Sequence, residues 1–98
     1  MLTTLTFKEI PMTLYDCEQG KTYQILSLDT QDVMLKDRLI SFGIVEDKTF
    51  YVVSQSISRL TIAIKINGVQ IALRDDEAKE ISVKEMVSHQ ALSSHIAQ

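Results

Sequence analysis

The stretch that decides the fold is Leu60-Thr61-Ile62-Ala63-Ile64-Lys65-Ile66-Asn67-Gly68-Val69-Gln70-Ile71-Ala72-Leu73. Large aliphatic side chains occupy every second position on both sides of Asn67-Gly68, which is the period of a strand with one buried face. Asn-Gly between two such runs predicts a two-residue type I′ hairpin, because both turn positions need a positive φ. The turn also fixes the register and directs six side chains into one core. The predicted facing pairs are Ile66 with Val69, Ile64 with Ile71, and Ile62 with Leu73.

A helix is predicted just upstream of this hairpin. Asp32 is placed to cap its N-terminus by accepting from the first-turn N–H groups. Gly43 supplies the left-handed residue that ends the helix, and Ile44 follows at the position that contacts the last helical turn. The apolar face, at i, i+4 and i+7, consists of Leu35, Leu39 and Phe42.

The other predicted elements surround this centre. Acidic residues at 75–77 could be a carboxylate site for a metal ion, but they are typical of the first turn of a helix, where carboxylates satisfy N–H groups. Apolar residues recur at helical spacing near the end of the chain and predict an amphipathic helix from Ser82 to about Ser94. Further strands are predicted at Lys21 to Leu28, Lys48 to Ser54 and Glu80 to Val83.

Several of these motifs together resemble the FeoA family of small accessory proteins of bacterial ferrous-iron transport. They are Arg38-Leu39-x-x-Phe42-Gly43-Ile44, the β hairpin, and Ala72-Leu73-Arg74 followed by Glu77-Ala78 and Ile81-x-Val83. The resemblance implies a mainly β fold, a small SH3-like barrel with one inserted helix, at residues 13–83. Residues 1–12 would be an N-terminal extension or edge strand, and residues 84–98 a C-terminal helical extension.

Composition excludes several classes of function. The 98 residues make one domain, with 10 basic and 13 acidic side chains and a net charge of −3. The basic residues are scattered along the chain, which disfavours nucleic-acid binding. No membrane span or signal peptide is visible, and the single cysteine fits a reducing compartment. We therefore expect a cytoplasmic protein.

Candidate chemical residues are few. Cys17 has no activating neighbour in the sequence, so we expect a small buried hydrophobe rather than a nucleophile. His89 and His95 are six residues apart and cannot bind one ion from one continuous helix, while Glu85 and His89 alone supply too few ligands. No acid, base and nucleophile constellation or phosphate-binding loop is visible, so we expect neither an enzyme nor a cofactor, and no metal site.

The resemblance implies a partner, the cytoplasmic GTPase portion of a ferrous-iron membrane transporter (FeoB-like). Ile57 is an apolar residue in a serine-rich loop, which is unusual unless it contacts another molecule. Two other interpretations stay open, a free-standing regulator akin to the SH3-like domain of iron-dependent repressors and a general protein-interaction adaptor. The predicted contact residues are Lys36, Arg38, Lys48, Ile57, Arg59 and Arg74.

Overall fold

The computed structural model describes residues 12–86. The predicted edge strand near Leu5-Thr6-Phe7 and most of the predicted C-terminal helix lie outside the described residues. No helix of the described part is long and apolar enough to cross a membrane.

The described chain forms six strands, two α-helices and one 3-10 helix. The elements follow one another in the order β1 (Met12–Thr13), the 3-10 helix (Leu14–Asp16), β2 (Thr22–Leu28), α1 (Val33–Ser41), β3 (Thr49–Gln55), β4 (Thr61–Ile66), β5 (Val69–Arg74), α2 (Asp75–Ala78) and β6 (Ile81–Glu85). The predicted mainly β fold with one inserted helix is confirmed.

The strands form one antiparallel sheet in the order β1-β6-β2-β3-β4-β5. Register shifts between Ile25 and Ser27 in β2 and between Val52 and Ser54 in β3 bend the sheet. The bent sheet wraps around one core, to which strands β2 to β6 all contribute. Tyr23 and Phe50 face each other across β2 and β3 and stack with ring centroids 5.8 Å apart.

The hairpin has the predicted turn and register. Asn67 and Gly68 have φ values of 54° and 79°, as a type I′ turn requires. The three predicted facing pairs are observed. The prediction that all six side chains point into the core is wrong for Val69, which is 54% exposed. Val69 lies at the start of β5, which has only β4 as a neighbour among the described strands, whereas its partner Ile66 on β4 is buried, so five of the six side chains are buried.

The ends of α1 also form as predicted. The Asp32 carboxylate accepts from the N–H groups of Met34 and Leu35. Gly43 has a φ of 91°, and the Ile44 N–H donates to the Leu39 carbonyl at 3.0 Å, which is the Schellman closure. Leu39 and Ile44 are fully buried.

Two other helix predictions need correction. Phe42 is 42% exposed and is not part of the buried face of α1, because it lies at the C-cap, where the helix is already turning away. At the C-terminal end, β6 continues to Glu85 by pairing with Tyr23 of β2. The predicted C-terminal helix therefore cannot begin at Ser82.

Candidate functional site

The structure separates the six predicted contact residues into three places. Ile57, Arg59 and Arg74 lie at the end of the sheet where β3 turns into β4 and β5 ends. Arg38 lies on the side of α1 that faces α2. Lys36 lines a crevice beside α1 that reaches Asp47, and exposed Lys48 follows Asp47 in the turn before β3.

The β3–β4 loop, residues 56–60, is held by its own hydrogen bonds. The Ser56 Oγ accepts from the N–H groups of Leu60 and Thr61, and the Ser56 N–H donates to the Thr61 carbonyl at 2.9 Å. Arg59 takes a φ of 62° and donates its N–H to the Ser56 carbonyl. These bonds fix the loop in a conformation that leaves Ile57 fully exposed.

Leu60 is a second exposed apolar residue in this loop, with 58% of its surface accessible. Its position continues the alternation of β4, which predicts burial. The strand begins only at Thr61, so Leu60 lies beyond the edge of the core. The carbonyl of Leu60 accepts from the Asp75 N–H at 3.0 Å, which joins the loop to the start of α2.

Tyr15, in the 3-10 helix, contacts two basic side chains, that of Arg59 from this loop and that of Lys79 from beyond α2. The Arg59 guanidinium donates to the Tyr15 carbonyl at 2.9 Å and lies over the Tyr15 ring, 5.2 Å from its centroid. The Lys79 Nζ lies 4.6 Å from the same centroid. Both distances are in the range of cation–π attraction. Sequence reasoning did not single out Tyr15 or Lys79, because their meeting depends on contacts between distant segments.

We call this surface the loop platform. It combines exposed apolar side chains with three basic ones. Asp76 and Glu77 of α2 line the groove toward α1, and the half-buried Asp75 adjoins the surface beside Leu60. Such a surface is suited to a partner with apolar side chains and carboxylates. Its members are Tyr15, Ile57, Arg59, Leu60, Arg74 and Lys79.

The predicted helical turn at 75–77 is confirmed as α2. The Glu77 carboxylate accepts from the Arg74 N–H at 3.0 Å and also pairs with the Arg38 guanidinium. Arg38 therefore joins α1 to α2 and is less available to a partner than the sequence prediction implied. Arg74 forms no ion pair with any residue of 12–86, so its charge remains on the loop platform.

An open groove of about 790 Å³ separates α1 from α2. Its walls carry the Arg38–Glu77 pair, three further carboxylates and the largely exposed side chain of Met34. A second crevice of about 460 Å³ lies beside α1 between Lys36 and Asp47. Both are open surface depressions.

Cys17 is fully buried, and burial, with smaller contributions from Asp16 and Glu85, raises the pKa of its thiol to about 12. At neutral pH the thiol is protonated, which makes it a poor nucleophile. Glu85 lies in β6 and pairs with Lys21 at 3.5 Å, so the helical spacing considered for Glu85 and His89 does not apply. Within residues 12–86, no three potential ligands are grouped around a metal position; His89 and His95 lie outside them.

Comparison with known proteins identifies the family. The FeoA domain model matches residues 12–85, and the chain belongs to the FeoA family. It is 40% identical over 74 residues to the "Putative Fe(2+) transport protein A" of Helicobacter pylori strain J99, which covers 76% of this chain and 95% of the relative. The matched region extends one residue before and two beyond the predicted domain.

Solved structures show the same fold. A zinc complex of FeoA from Stenotrophomonas maltophilia, described as a prokaryotic SH3 domain protein, superposes with a TM-score of 0.67 at 21% identity, over 74% of this chain and 89% of that one. The predicted SH3-like fold is thereby confirmed. A manganese-dependent transcriptional repressor bound to manganese gives a TM-score of 0.72 at 21% identity, over 82% of this chain but 39% of the repressor. The fold therefore also occurs as part of a larger regulatory protein.

Proposed function

We propose that this chain is a non-catalytic accessory protein that binds the cytoplasmic GTPase portion of a ferrous-iron membrane transporter and regulates it. Family membership supports the transport context, since the Helicobacter pylori relative is named for Fe(2+) transport. The loop platform supports a binding role. Its members come from four separate parts of the chain, and no catalytic constellation accompanies them in the described residues.

The observation that carries the proposal is the position of Ile57. Its side chain is fully exposed on a loop that four hydrogen bonds hold in place. An exposed isoleucine contributes nothing to folding and is already positioned for contact, so little conformational entropy is lost when it binds. Exposed Leu60 widens the apolar centre, and Arg74 adds a charge that attracts a carboxylate of the partner.

The test is binding of purified variants to the soluble GTPase domain of the transporter from the same source, measured by isothermal titration calorimetry. Ile57→Asp places a charge in the apolar centre and should weaken binding at least about tenfold, as expected for a central interface residue. Leu60→Asp should act in the same direction. Arg59 is less suitable for substitution, because its guanidinium also holds Tyr15.

Val33→Asp is the matched control. Val33 is 69% exposed at the start of α1, outside the loop platform, so the same chemical change should leave affinity unaltered. Circular dichroism melts of all three variants should match the parent, because each substitution is on the surface. Wild-type affinity in folded Ile57→Asp and Leu60→Asp would remove the loop platform from the interface.

The regulatory interpretation has its own support in the likeness to the manganese-dependent repressor. It predicts that the wild-type chain does not bind the GTPase domain at all and instead associates with a DNA-binding protein. Absence of measurable heat with the wild-type protein, in a preparation whose GTPase domain is folded and binds nucleotide, would favour that alternative.

A further inference from the structure

Strand β5 ends the sheet, and its only partner among the described strands is β4. In a two-residue hairpin the residues flanking the turn exchange both backbone hydrogen bonds, and every second pair after them does the same. The bond from the Asp75 N–H to the Leu60 carbonyl fits this alternation. The backbone groups of Gln70 and Ala72 consequently point away from β4.

No residue of 12–86 pairs with these outward groups. Gln70 and Ala72 are exposed, whereas the outward N–H of Arg74 is already bonded to the Glu77 carboxylate. The edge thus offers two N–H and two C=O groups. The ladder to β4 runs through six pairs without a bulge, and β5 carries no proline and no lysine, the features that usually protect an edge.

We infer that this edge binds the same edge of a second copy of the chain, antiparallel and about a twofold axis at Ile71. In that register Gln70 of each copy faces Ala72 of the other, and the two residues exchange both backbone bonds. Four hydrogen bonds form, and they use every outward N–H and C=O of Gln70 and Ala72 in both copies. An isologous contact of this kind closes as a dimer and leaves no β5 edge for further addition.

The side chains agree with this arrangement. On the outer face the uncharged Gln70 lies opposite the small Ala72. Arg74 of each copy lies opposite Gly68 of the other, so the two like charges are at opposite ends of the paired strands and do not repel. On the inner face Ile71 meets Ile71; it retains 7% exposure where Ile64 on β4 has none, and the second copy covers that remainder.

The dimer is expected to be weak, because one short edge buries less surface than a standard interface. Sedimentation velocity over a concentration series should show a reversible monomer–dimer equilibrium. Ala72→Pro removes the outward N–H without breaking the ladder to β4 and so deletes two of the four bonds. It should raise the dimer dissociation constant at least about tenfold. Ala72→Ser keeps the N–H and is the control.

A cross-link tests the register even if the proline variant is unstable. In the double variant Gln70→Cys/Ala72→Cys the new cysteines of two copies face each other at a hydrogen-bonded pair, about 5.5 Å apart at Cα, which a disulfide spans. Oxidation should give a covalent dimer. In Gln70→Cys alone, the new cysteine of each copy faces Ala72 of the other, so little covalent dimer should form.

Three results would overturn the inference. One is a wild-type chain that stays monomeric up to about 1 mM. A dissociation constant of about 1 mM corresponds to a binding free energy of only roughly −4 kcal/mol. Another is a dimer that Ala72→Pro leaves unchanged. The third is slow hydrogen exchange at the Gln70 and Ala72 amides in the dilute monomer, which would assign the edge to the chain's own residues outside 12–86. None of them affects the docking test on Ile57.

Discussion

Ile64 provides the most direct test of the core. Its side chain is fully buried on β4, facing Ile71 on β5 and Val52 on β3. Ile64→Ala removes three carbon groups, about 2.4 kcal/mol at 0.8 kcal/mol each, and the cavity left behind adds to this. We expect a loss of about 3 to 4 kcal/mol in the free energy of unfolding. The total free energy of unfolding of a domain of this size is about 5 to 15 kcal/mol, so this loss is a large part of it. At about 4 to 8 °C per kcal/mol, the melting temperature should fall by roughly 12 to 32 °C.

The assay is urea unfolding followed by circular dichroism, with Val69→Ala as the control. Val69 lies on the same nominal side of the hairpin but is 54% exposed, so its truncation should cost less than about 1 kcal/mol. A loss below about 1 kcal/mol for Ile64→Ala would mean that the strand faces are assigned backwards. Equal losses in the two variants would mean that the hairpin tip is buried, against the structure.

Two further predictions concern Gly43 and Cys17. Gly43→Ala and Gly20→Ala should each lower the free energy of unfolding by about 1 to 2 kcal/mol through backbone strain, since both glycines have a positive φ. Only at Gly43 would the added Cβ meet the Asn67 side chain, so Gly43→Ala should be the more costly in denaturant titration, and equal losses would contradict the packing of the hairpin tip on α1. Burial raises the pKa of Cys17 from 9.0 to about 12, so the folded state holds this proton more tightly, and the resulting stability is present below pH 9 and lost between pH 9 and about 12. The free energy of unfolding of Cys17→Ala should therefore fall less steeply between pH 9 and 10 than that of the parent, because in this range the unfolded thiol is the first of the shifted groups to ionise. An unchanged slope would refute this.

The central elements were predictable because their signals are local. Asn67-Gly68 specifies its own turn, and that turn sets the register of both strands. Asp32 and Gly43 likewise mark the ends of α1 through the backbone conformations and hydrogen bonds that those residue types favour. Each signal spans a few residues, so no knowledge of the rest of the chain was needed.

The errors come from places where a periodic pattern continues beyond the element that buries it. Leu60 and Val69 are in phase with the buried positions of β4 and β5, yet one precedes its strand and the other follows the turn. Alternation gives the facing direction of a side chain but does not show where the core stops. Glu85 shows the same limit at the other end, since the pairing of Lys84 and Glu85 with β2 keeps this segment in a strand.

The candidate site was only partly predictable, because its chemistry is set by contacts between distant segments. Ile57 could be found from the sequence as an apolar residue among serines. The roles of the arginines could not, since each depends on its partner: Arg59 on Tyr15, Arg38 on Glu77. Arg38 and Arg59 therefore each use part of the guanidinium for a contact inside the fold. Arg74 has no such ion pair among residues 12–86 and stays, with Ile57, a predicted contact on the loop platform.

The contacts of Arg59 and Ser56 also indicate how the fold would support the proposed binding role. A loop that projects an isoleucine is useful only if it does not collapse onto the sheet, and the loop at 56–60 is held by Ser56 from within and by Arg59 against Tyr15 from outside. The same Tyr15 ring orders Lys79, so one aromatic side chain positions two charges beside the apolar centre. Binding through a surface already ordered in this way incurs little loss of side-chain entropy. In the proposed function, the described barrel would therefore recognise its partner through the shape and charge of one end.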